Sequence, residues 1–302
     1  MRTLCSVALI GTIALIGSPA TAQAPTPIDT AKIEAMSGLK GTLIADENVF
    51  KIGKPRTDVK IQVDGWPMPP FMGLGSWAAF TPVPGGKVMM MGDTVLFEDE
   101  VNPVMSAAFA AGLEVTALHN HFFFDEPKVF FMHIGGMGDA GDLAAGVKKV
   151  YDKITEIRAA NPAPTKSLSA KIGATNAVTA APLETILGMK GQSDQGLFKV
   201  VIGRPANMHG MPIGKEMGIN TWAAFGGTDD EAVIDGDFAM TENELQTVLK
   251  GMRAEGINIV AIHQHMSHEQ PRYLFLHYWG KGKAAALAQS LKKVLTAQTA
   301  VR

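Results

Sequence analysis

Two short stretches decide the fold of this chain, because each of them occurs twice. Residues 117–121 read Ala-Leu-His-Asn-His and residues 131–133 read Phe-Met-His. At a constant offset of 144 positions, residues 261–265 read Ala-Ile-His-Gln-His and residues 275–277 read Phe-Leu-His. A fixed offset over both stretches indicates an internal duplication, in which each copy forms the same structural unit.

The duplication extends beyond the histidines. Trp-Ala-Ala-Phe occupies 77–80 and 222–225, a Gly-Asp pair occupies 92–93 and 236–237, and a glutamate stands at 98 and 242. The segment 159–181 is rich in Ala, Pro, Thr and Ser, a composition typical of a linker. We therefore expect a first repeat over 23–158, a linker over 159–181 and a second repeat over 182–302.

The hydrophobic pattern predicts the same five elements at the centre of each repeat. They are a strand with the Gly-Asp pair (87–97 and 231–240), a helix (103–111 and 242–254), the His-x-His strand (114–122 and 258–266), a strand with the third histidine (129–134 and 273–279) and a closing helix (140–157 and 283–295). Thr241, followed three residues later by Glu244, predicts a capping box at the start of the helix over 242–254. The order β-α-β-β-α resembles most of a ferredoxin-like α/β sandwich. We expect an α+β fold of two such units, each with an antiparallel sheet and helices on one face.

The N-terminal pattern, the cysteine content, the charge and the apolar runs together limit where the protein acts and what it binds. Residues 1–22 combine Arg2, an apolar run and Ala20-Thr21-Ala22, which is the pattern of a secretory signal peptide, so the protein is expected to be periplasmic or secreted. The single cysteine, Cys5, falls inside that segment, so the mature chain depends on a hydrophobic core and not on disulfides. A formal net charge of −2 argues against nucleic acid as a partner. No later apolar run is long enough to predict a transmembrane helix.

The repeated histidines predict a metal site. Alternate residues of a strand share a face, so the two histidines of each His-x-His motif point the same way. If each hairpin is symmetric about its midpoint, residue 126 or 270, the third histidine stands directly opposite the first. Three imidazoles then crowd one face and can reach a common ion at about 2.0–2.1 Å. The candidate ligands are His119, His121, His133, His263, His265 and His277.

Imidazole ligands suit a divalent transition metal, with zinc as our first expectation and copper or iron as alternatives. Three protein ligands leave one coordination position open, as in catalytic zinc sites, where bound water can serve hydrolysis. Asp93, Asp237, Glu98 and Glu242 are the candidates for a fourth ligand, an orienting partner or a catalytic base.

Two other interpretations of the histidines stay open, and so does the question of whether the protein is an enzyme. In the first, the protein is a non-catalytic periplasmic protein that binds a small molecule in a cleft between the repeats, with structural histidines. In the second, the two hairpin faces meet and share one site.

Methionine gives a weaker signal. Met89-Met90-Met91 and Met208-His209-Gly210-Met211 contain thioethers, which favour copper(I). Methionine is also a common filler of hydrophobic cores, and that interpretation is the simpler one.

The repeated motifs resemble those of the LppY/LpqO family, exported bacterial proteins that carry a domain of unknown function. The resemblance rests on Trp-Ala-Ala-Phe, the Gly-Asp strand, Ala-Leu-His-Asn-His, Phe-Met-His-Ile-Gly and Leu-His-Tyr-Trp-Gly, and covers nearly the whole mature chain. It implies export and the repeat unit, and it implies no activity. Some relatives are described as lipoproteins, whereas this chain lacks the corresponding cysteine motif, so we expect it to be free of a lipid anchor.

Overall fold

A computed structural model of the chain describes residues 27–165 and 171–301, and the two repeats within it have the same element order. The expected signal peptide lies outside these residues. The first repeat contains α1 (Thr30–Ser37), β1 (Gly41–Ile44), β2 (Val49–Pro55), β3 (Gln62–Val63), β4 (Trp66–Pro67), β5 (Gly75–Val83), β6 (Lys87–Phe97), α2 (Glu98–Ala110), β7 (Glu114–His119), β8 (Asp125–Glu126), β9 (Val129–Gly138) and α3 (Ala140–Ala160). The second contains α4 (Ala180–Leu187), β10 (Gln192–Asp194), β11 (Leu197–Gly203), β12 (Ala206–Met208), β13 (Met211–Ile213), β14 (Asn220–Gly227), β15 (Ala232–Thr241), α5 (Glu242–Ala254), β16 (Asn258–His263), β17 (Glu269–Gln270), β18 (Tyr273–Gly282) and α6 (Ala284–Ala300).

One twelve-stranded antiparallel sheet runs through both repeats. Its order is β1-β2-β5-β6-β9-β7-β16-β18-β15-β14-β11-β10, so the second half mirrors the first. The halves join where β7 pairs with β16 through Leu118 and Ile262. Because β7 and β16 are corresponding strands of the two copies, the repeats are related by an approximate two-fold axis at this seam.

The helices pack on one face of the sheet and leave the other face for the histidines. Along β6, Val88, Met90 and Leu96 belong to the main core together with helix residues of both repeats. The residues between them, including Asp93, point to the opposite face, as strand alternation requires. The expected α+β fold, with an antiparallel sheet and helices on one face, is confirmed at this level.

The strand order places β9 between the Gly-Asp strand and the His-x-His strand. In each half the order is β6-β9-β7 or β15-β18-β16. The strand that flanks β6 is β5, which precedes it in the chain, whereas a ferredoxin-like unit closes with a strand after its second helix. The ferredoxin-like description of each repeat therefore stays a prediction.

Element bounds differ from the expected ones at a proline, at the histidines, and at the ends of β9 and α6, which extend to Gly138 and Ala300. Helix α2 begins at Glu98, five residues before the predicted start, and contains Pro103 in its interior. Helix α5 has the predicted bounds, and the capping box is confirmed by the 2.9 Å hydrogen bond from Thr241 N to Glu244 Oε2. Strands β7 and β16 end at the first histidine of each motif, earlier than predicted.

Two side-chain amides fasten the repeats across the seam. Asn102 of α2 donates to Ile259 O at 3.1 Å and accepts from Ile259 N at 2.8 Å. In the corresponding contact, Gln246 of α5 donates to Val115 O at 2.8 Å and accepts from Val115 N at 3.2 Å. Val115 and Ile259 each stand beside a bulge of the seam strand, and the amides take the place of a neighbouring strand there.

Part of the histidine face is covered by two small three-stranded sheets, β4-β3-β8 and β13-β12-β17. In the first repeat, the β4-β3-β8 sheet covers a second core that contains Val95, Phe97 and Phe131. Among the helices that the structure describes, none has the length and apolar character needed to cross a membrane.

Candidate metal centres

The hairpin register differs from the symmetric one that the sequence suggested. Phe131 stands opposite His119, and Ala117 stands opposite His133, so the predicted direct opposition of the two histidines is wrong. The connection is asymmetric because β8 pairs with β3 of the small sheet and does not continue the hairpin. The displacement amounts to two residues, and a displacement of two keeps every side chain on its face.

The predicted clustering of imidazoles is confirmed despite this register. In the first repeat, the Nε2 atoms of His119 and His133 lie 3.0 Å apart, and the rings of His119 and His121 lie 5.1 Å apart between centroids. In the second repeat, the ring of His263 lies 5.2 Å from that of His265 and 4.6 Å from that of His277.

A buried carboxylate completes the cluster of the second repeat. Asp237 stands directly opposite His277 in the pairing of β15 with β18. Its Oδ2 lies 2.8 Å from His265 Nε2, and its Oδ1 lies 3.9 Å from His263 Nε2. One donor atom each from Asp237, His263 and His265 lies within 4.8 Å of the others, a spacing that one metal ion can bridge.

Backbone carbonyls fix the orientation of two imidazoles in this centre. His265 Nδ1 lies 2.9 Å from Gly218 O, and His277 Nδ1 lies 3.2 Å from Gly236 O. A carbonyl can only accept, so each Nδ1 carries the proton, and Nε2 of the neutral ring carries a lone pair. Such carbonyl contacts are the usual way of orienting histidine ligands toward a metal.

This orientation sets two acceptors against each other. The Nε2 lone pair of His265 faces a carboxylate oxygen of Asp237 at 2.8 Å. Such a contact is favourable only with a positive charge between the two atoms, either a proton on the ring or a metal ion. Asp237 Oδ1 and His263 Nε2 are also buried and have no hydrogen-bond partner among the described residues. Each buried unsatisfied group costs about 1–3 kcal/mol, and one bound cation would satisfy both.

Burial also affects protonation near the centres. Desolvation lowers the pKa of His263, although the Asp237 carboxylate acts in the opposite direction. Desolvation likewise lowers the pKa of His121 in the first repeat. A lower pKa favours the neutral imidazole, which is the form that binds metal.

The first repeat has the same donors in a less closed arrangement. Asp93 stands opposite His133 in the pairing of β6 with β9, and its buried Oδ1 has no hydrogen-bond partner among the described residues. His121 lies beyond the end of β7 and stacks on Phe131 with ring centroids 3.3 Å apart. Within residues 27–165 and 171–301, only the second repeat brings a carboxylate and two imidazoles within metal-binding distance of one another.

Glu98 and Glu242 are not brought to the histidines. Each begins a helix five residues beyond the corresponding aspartate, which is roughly 16 Å along an extended strand. Glu98 lines a cavity of about 320 Å³ together with Lys128 and Thr165. Glu242 lines a different cavity, of about 570 Å³, beside Arg272. The structure thus unites the two aspartates, and not the two glutamates, with the six histidines.

Sequence reasoning missed the aromatic support of the middle histidine. His265 stacks on Phe275 at 3.5 Å between centroids, just as His121 stacks on Phe131. The signal was present, because a phenylalanine precedes the third histidine by two residues in both copies and therefore shares its face.

The surroundings of the two centres have diverged. The first-repeat loops carry Phe71, Phe123 and Phe124, which are all strongly exposed. The corresponding positions of the second repeat hold Glu216, Ser267 and His268. These loops therefore carry exposed aromatic residues in one repeat and polar residues in the other.

Comparison with known proteins identifies a family and no activity. A family model described as Domain of Unknown Function (DUF1259) matches residues 31–153 and again residues 181–297, once in each repeat. No curated protein matches the chain.

Two solved structures are similar at a low level. One is a double ringed trimeric shell protein from the RMM microcompartment, with 12% identity, coverage of 74% of this chain and 86% of that chain, and a TM-score of 0.18. The other is the trimeric bacterial microcompartment shell protein PduB, with 10% identity, coverage of 86% and 93%, and a TM-score of 0.21. TM-scores at this level establish neither a shared fold nor a shared function.

Proposed function

This chain belongs to the DUF1259 family, and we propose that it is an exported protein that binds a divalent transition metal in each repeat, most tightly in the second. The observation that carries the proposal is the contact of His265 Nε2 with Asp237 Oδ2 at 2.8 Å, in a ring whose Nδ1 is committed to Gly218 O. A proton on His265 would satisfy that contact but would leave His263 Nε2 and Asp237 Oδ1 without partners, whereas one metal ion would satisfy all of these atoms.

The donor chemistry favours zinc, with copper or iron as alternatives. Neutral imidazoles and one carboxylate suit a divalent ion of this group, and thiolates are absent from the described residues. His263, His265 and His277 would supply Nε2 atoms, and Asp237 would supply an oxygen or orient an imidazole. When bound, such a metal lowers the pKa of coordinated water, which is the basis for a hydrolytic role. Where Asp237 orients an imidazole and does not bind the metal, it would be the carboxylate available to take a proton from that water.

A second candidate function is small-molecule binding between the repeats. It is favoured by the cavity of about 570 Å³ that Glu114 and Thr116 of the first repeat line together with Gln246 and Arg272 of the second. In that case the ligand contacts the seam, and loss of the histidines leaves its binding unchanged.

Elemental analysis of the untagged mature protein, purified from an exporting host, tests the metal proposal. The variant His263→Ala/His265→Ala removes two donors, and His209→Ala/His268→Ala is a matched control because these exposed histidines stand outside the centre. We expect near-stoichiometric metal in the parent and the control, with loss of about one equivalent in the first variant. Circular dichroism checks that each variant folds. A parent that contains no metal and takes up none on titration with zinc, copper or iron would refute the proposal.

A further inference from the structure

Three methionines of the first repeat are exposed on the open face of the sheet. Met89, Met91 and Met137 are 39%, 52% and 63% exposed, respectively. Met90, between the first two, is fully buried in the main core. The Met89-Met90-Met91 run therefore divides by strand alternation, with one side chain in the core and two on the histidine face.

The sheet register brings the three exposed thioethers together. Met89 and Met137 are directly opposite in the pairing of β6 with β9, which places their Cβ atoms about 4.5–5.5 Å apart. Met91 is two residues along β6, about 6.6–6.8 Å from Met89 and on the same face. Its partner on β9 is Gly135, which places no side chain between them. On β5, the neighbours of Met89 and Met91 are the small residues Thr81 and Ala79.

The second repeat has none of these thioethers. The positions that correspond to Met89, Met91 and Met137 hold Val233, Asp235 and Lys281. Since the histidines and the aspartate are retained in both copies, the thioether group is a separate feature that accompanies one copy only.

We propose that Met89, Met91 and Met137 form a binding site for a soft monovalent cation, copper(I), in addition to the histidine centres. Neutral thioethers select soft ions and bind hard or divalent ions poorly. Flexible methionine side chains on one face can turn their sulfur atoms toward one ion without a change in backbone. The site borders the first-repeat centre, because Asp93 and His133 form the next pair on this face, two residues beyond Met91 and Gly135. The proposal does not depend on the metal content of the histidine centres.

Two measurements test the proposal. In the first, the protein with ¹³C-methyl methionine is titrated with silver(I), a redox-stable probe for copper(I), and the methionine methyl resonances are followed by NMR. In the second, competition against a chromogenic chelator measures the affinity for copper(I). Met89→Leu/Met91→Leu/Met137→Leu removes the sulfurs at nearly constant volume. Met72→Leu/Met211→Leu/Met217→Leu is the control, since these residues are 55%, 66% and 57% exposed at other places. We expect three methyl resonances to shift together in wild type and control, and copper(I) affinity to fall at least tenfold in the first variant.

A His119→Ala/His121→Ala variant separates the thioethers from the neighbouring imidazoles. It should retain the three methyl shifts on silver(I) addition, because its methionines are intact. The proposal is overturned if wild type and the first methionine variant bind copper(I) with equal affinity. It is also overturned if silver(I) shifts the resonances of the control positions as strongly as those of Met89, Met91 and Met137.

Discussion

Two buried carboxylates of the second repeat differ in how their oxygens are satisfied. Glu244 accepts from both terminal nitrogens of Arg204 at 3.0 and 2.9 Å, from Thr241 N and from Gln298 Nε2. Asp237 has one oxygen against His265 and one with no hydrogen-bond partner among the described residues. A carboxylate with a full set of partners is a structural element, whereas one that is buried with an open oxygen is available to a ligand.

Glu244→Gln should destabilise the fold by about 2 kcal/mol at neutral pH, because charged hydrogen bonds are lost. Burial alone would raise the pKa of Glu244, but hydrogen bonds from Arg204, Thr241 and Gln298 outweigh it, so the pKa lies below its ordinary value. A lowered folded-state pKa gives stability that is present above the unfolded value of about 4.3 and is lost as pH falls through the folded value. Urea unfolding at pH 7 and at pH 3 should therefore show a difference between wild type and variant that shrinks in acid. An equal difference at both pH values would contradict this account.

Asp237→Asn should weaken metal binding and leave the stability of the metal-free protein nearly unchanged or higher. Without metal, the substitution removes a buried charge with an unsatisfied oxygen, so stability in the presence of a chelator should be within about 1 kcal/mol of wild type or higher. Zinc affinity should fall about 10-fold or more, since groups that hold or orient ligands have effects of this size. Chelator-competition titration and urea unfolding of the same preparation measure both quantities. A loss of stability like that of Glu244→Gln, with zinc affinity unchanged, would place Asp237 among the structural carboxylates.

At the seam, side-chain amides of each repeat form hydrogen bonds with backbone groups of the other repeat that strand pairing leaves without partners. The bulges beside Val115 and Ile259 interrupt the ladder, and one amide side chain from the other repeat satisfies both polar groups of each residue. Because α2 supplies one amide and α5 the other, the two repeats stabilise each other reciprocally.

Asn102→Ala and Gln246→Ala should each destabilise the protein by about 1–3 kcal/mol, because each leaves a backbone N–H and a C=O without a partner at the seam. Asn243→Ala is the control, since it removes a similar amide from an exposed position in the first turn of α5. Urea unfolding supplies the stabilities, and hydrogen exchange should show faster exchange at Ile259 N in the first variant and at Val115 N in the second. Unchanged exchange at both amides would show that the seam does not depend on these contacts.

Sequence periodicity predicted the elements better than their pairing. The predicted bounds of the two Gly-Asp strands and α5 lie within one residue of the observed ones, and so do the predicted starts of the closing helices, because their apolar spacing is regular. The hairpin register was not predicted, since it depends on β8 pairing with a two-residue strand, β3, that has no periodic signal. The donor residues followed from the duplication, but the orientation of each imidazole depends on backbone carbonyls such as those of Gly218 and Gly236, which no side-chain pattern reveals.

The duplication places both centres on one continuous surface of the protein. Leu118 and Ile262 pair at the seam and point into the helix-side core, so the adjacent His119 and His263 both point to the opposite face. Continuing this register sets His119 opposite Ala261 and His263 opposite Ala117. The two centres are therefore neighbours on one sheet, separated by the strands of the seam.

Loading with copper(II) should reveal that arrangement. The third histidines lie on β9 and β18, which are three inter-strand spacings apart, or roughly 14 Å at about 4.8 Å per spacing. At one equivalent the second-repeat centre should fill first and give an uncoupled electron paramagnetic resonance spectrum. At two equivalents dipolar coupling at about this distance should appear, and His119→Ala/His121→Ala should abolish it while His209→Ala/His268→Ala should not. Two equivalents bound without coupling would mean that the second ion lies elsewhere, and saturation at one equivalent would mean that the first repeat has lost its centre.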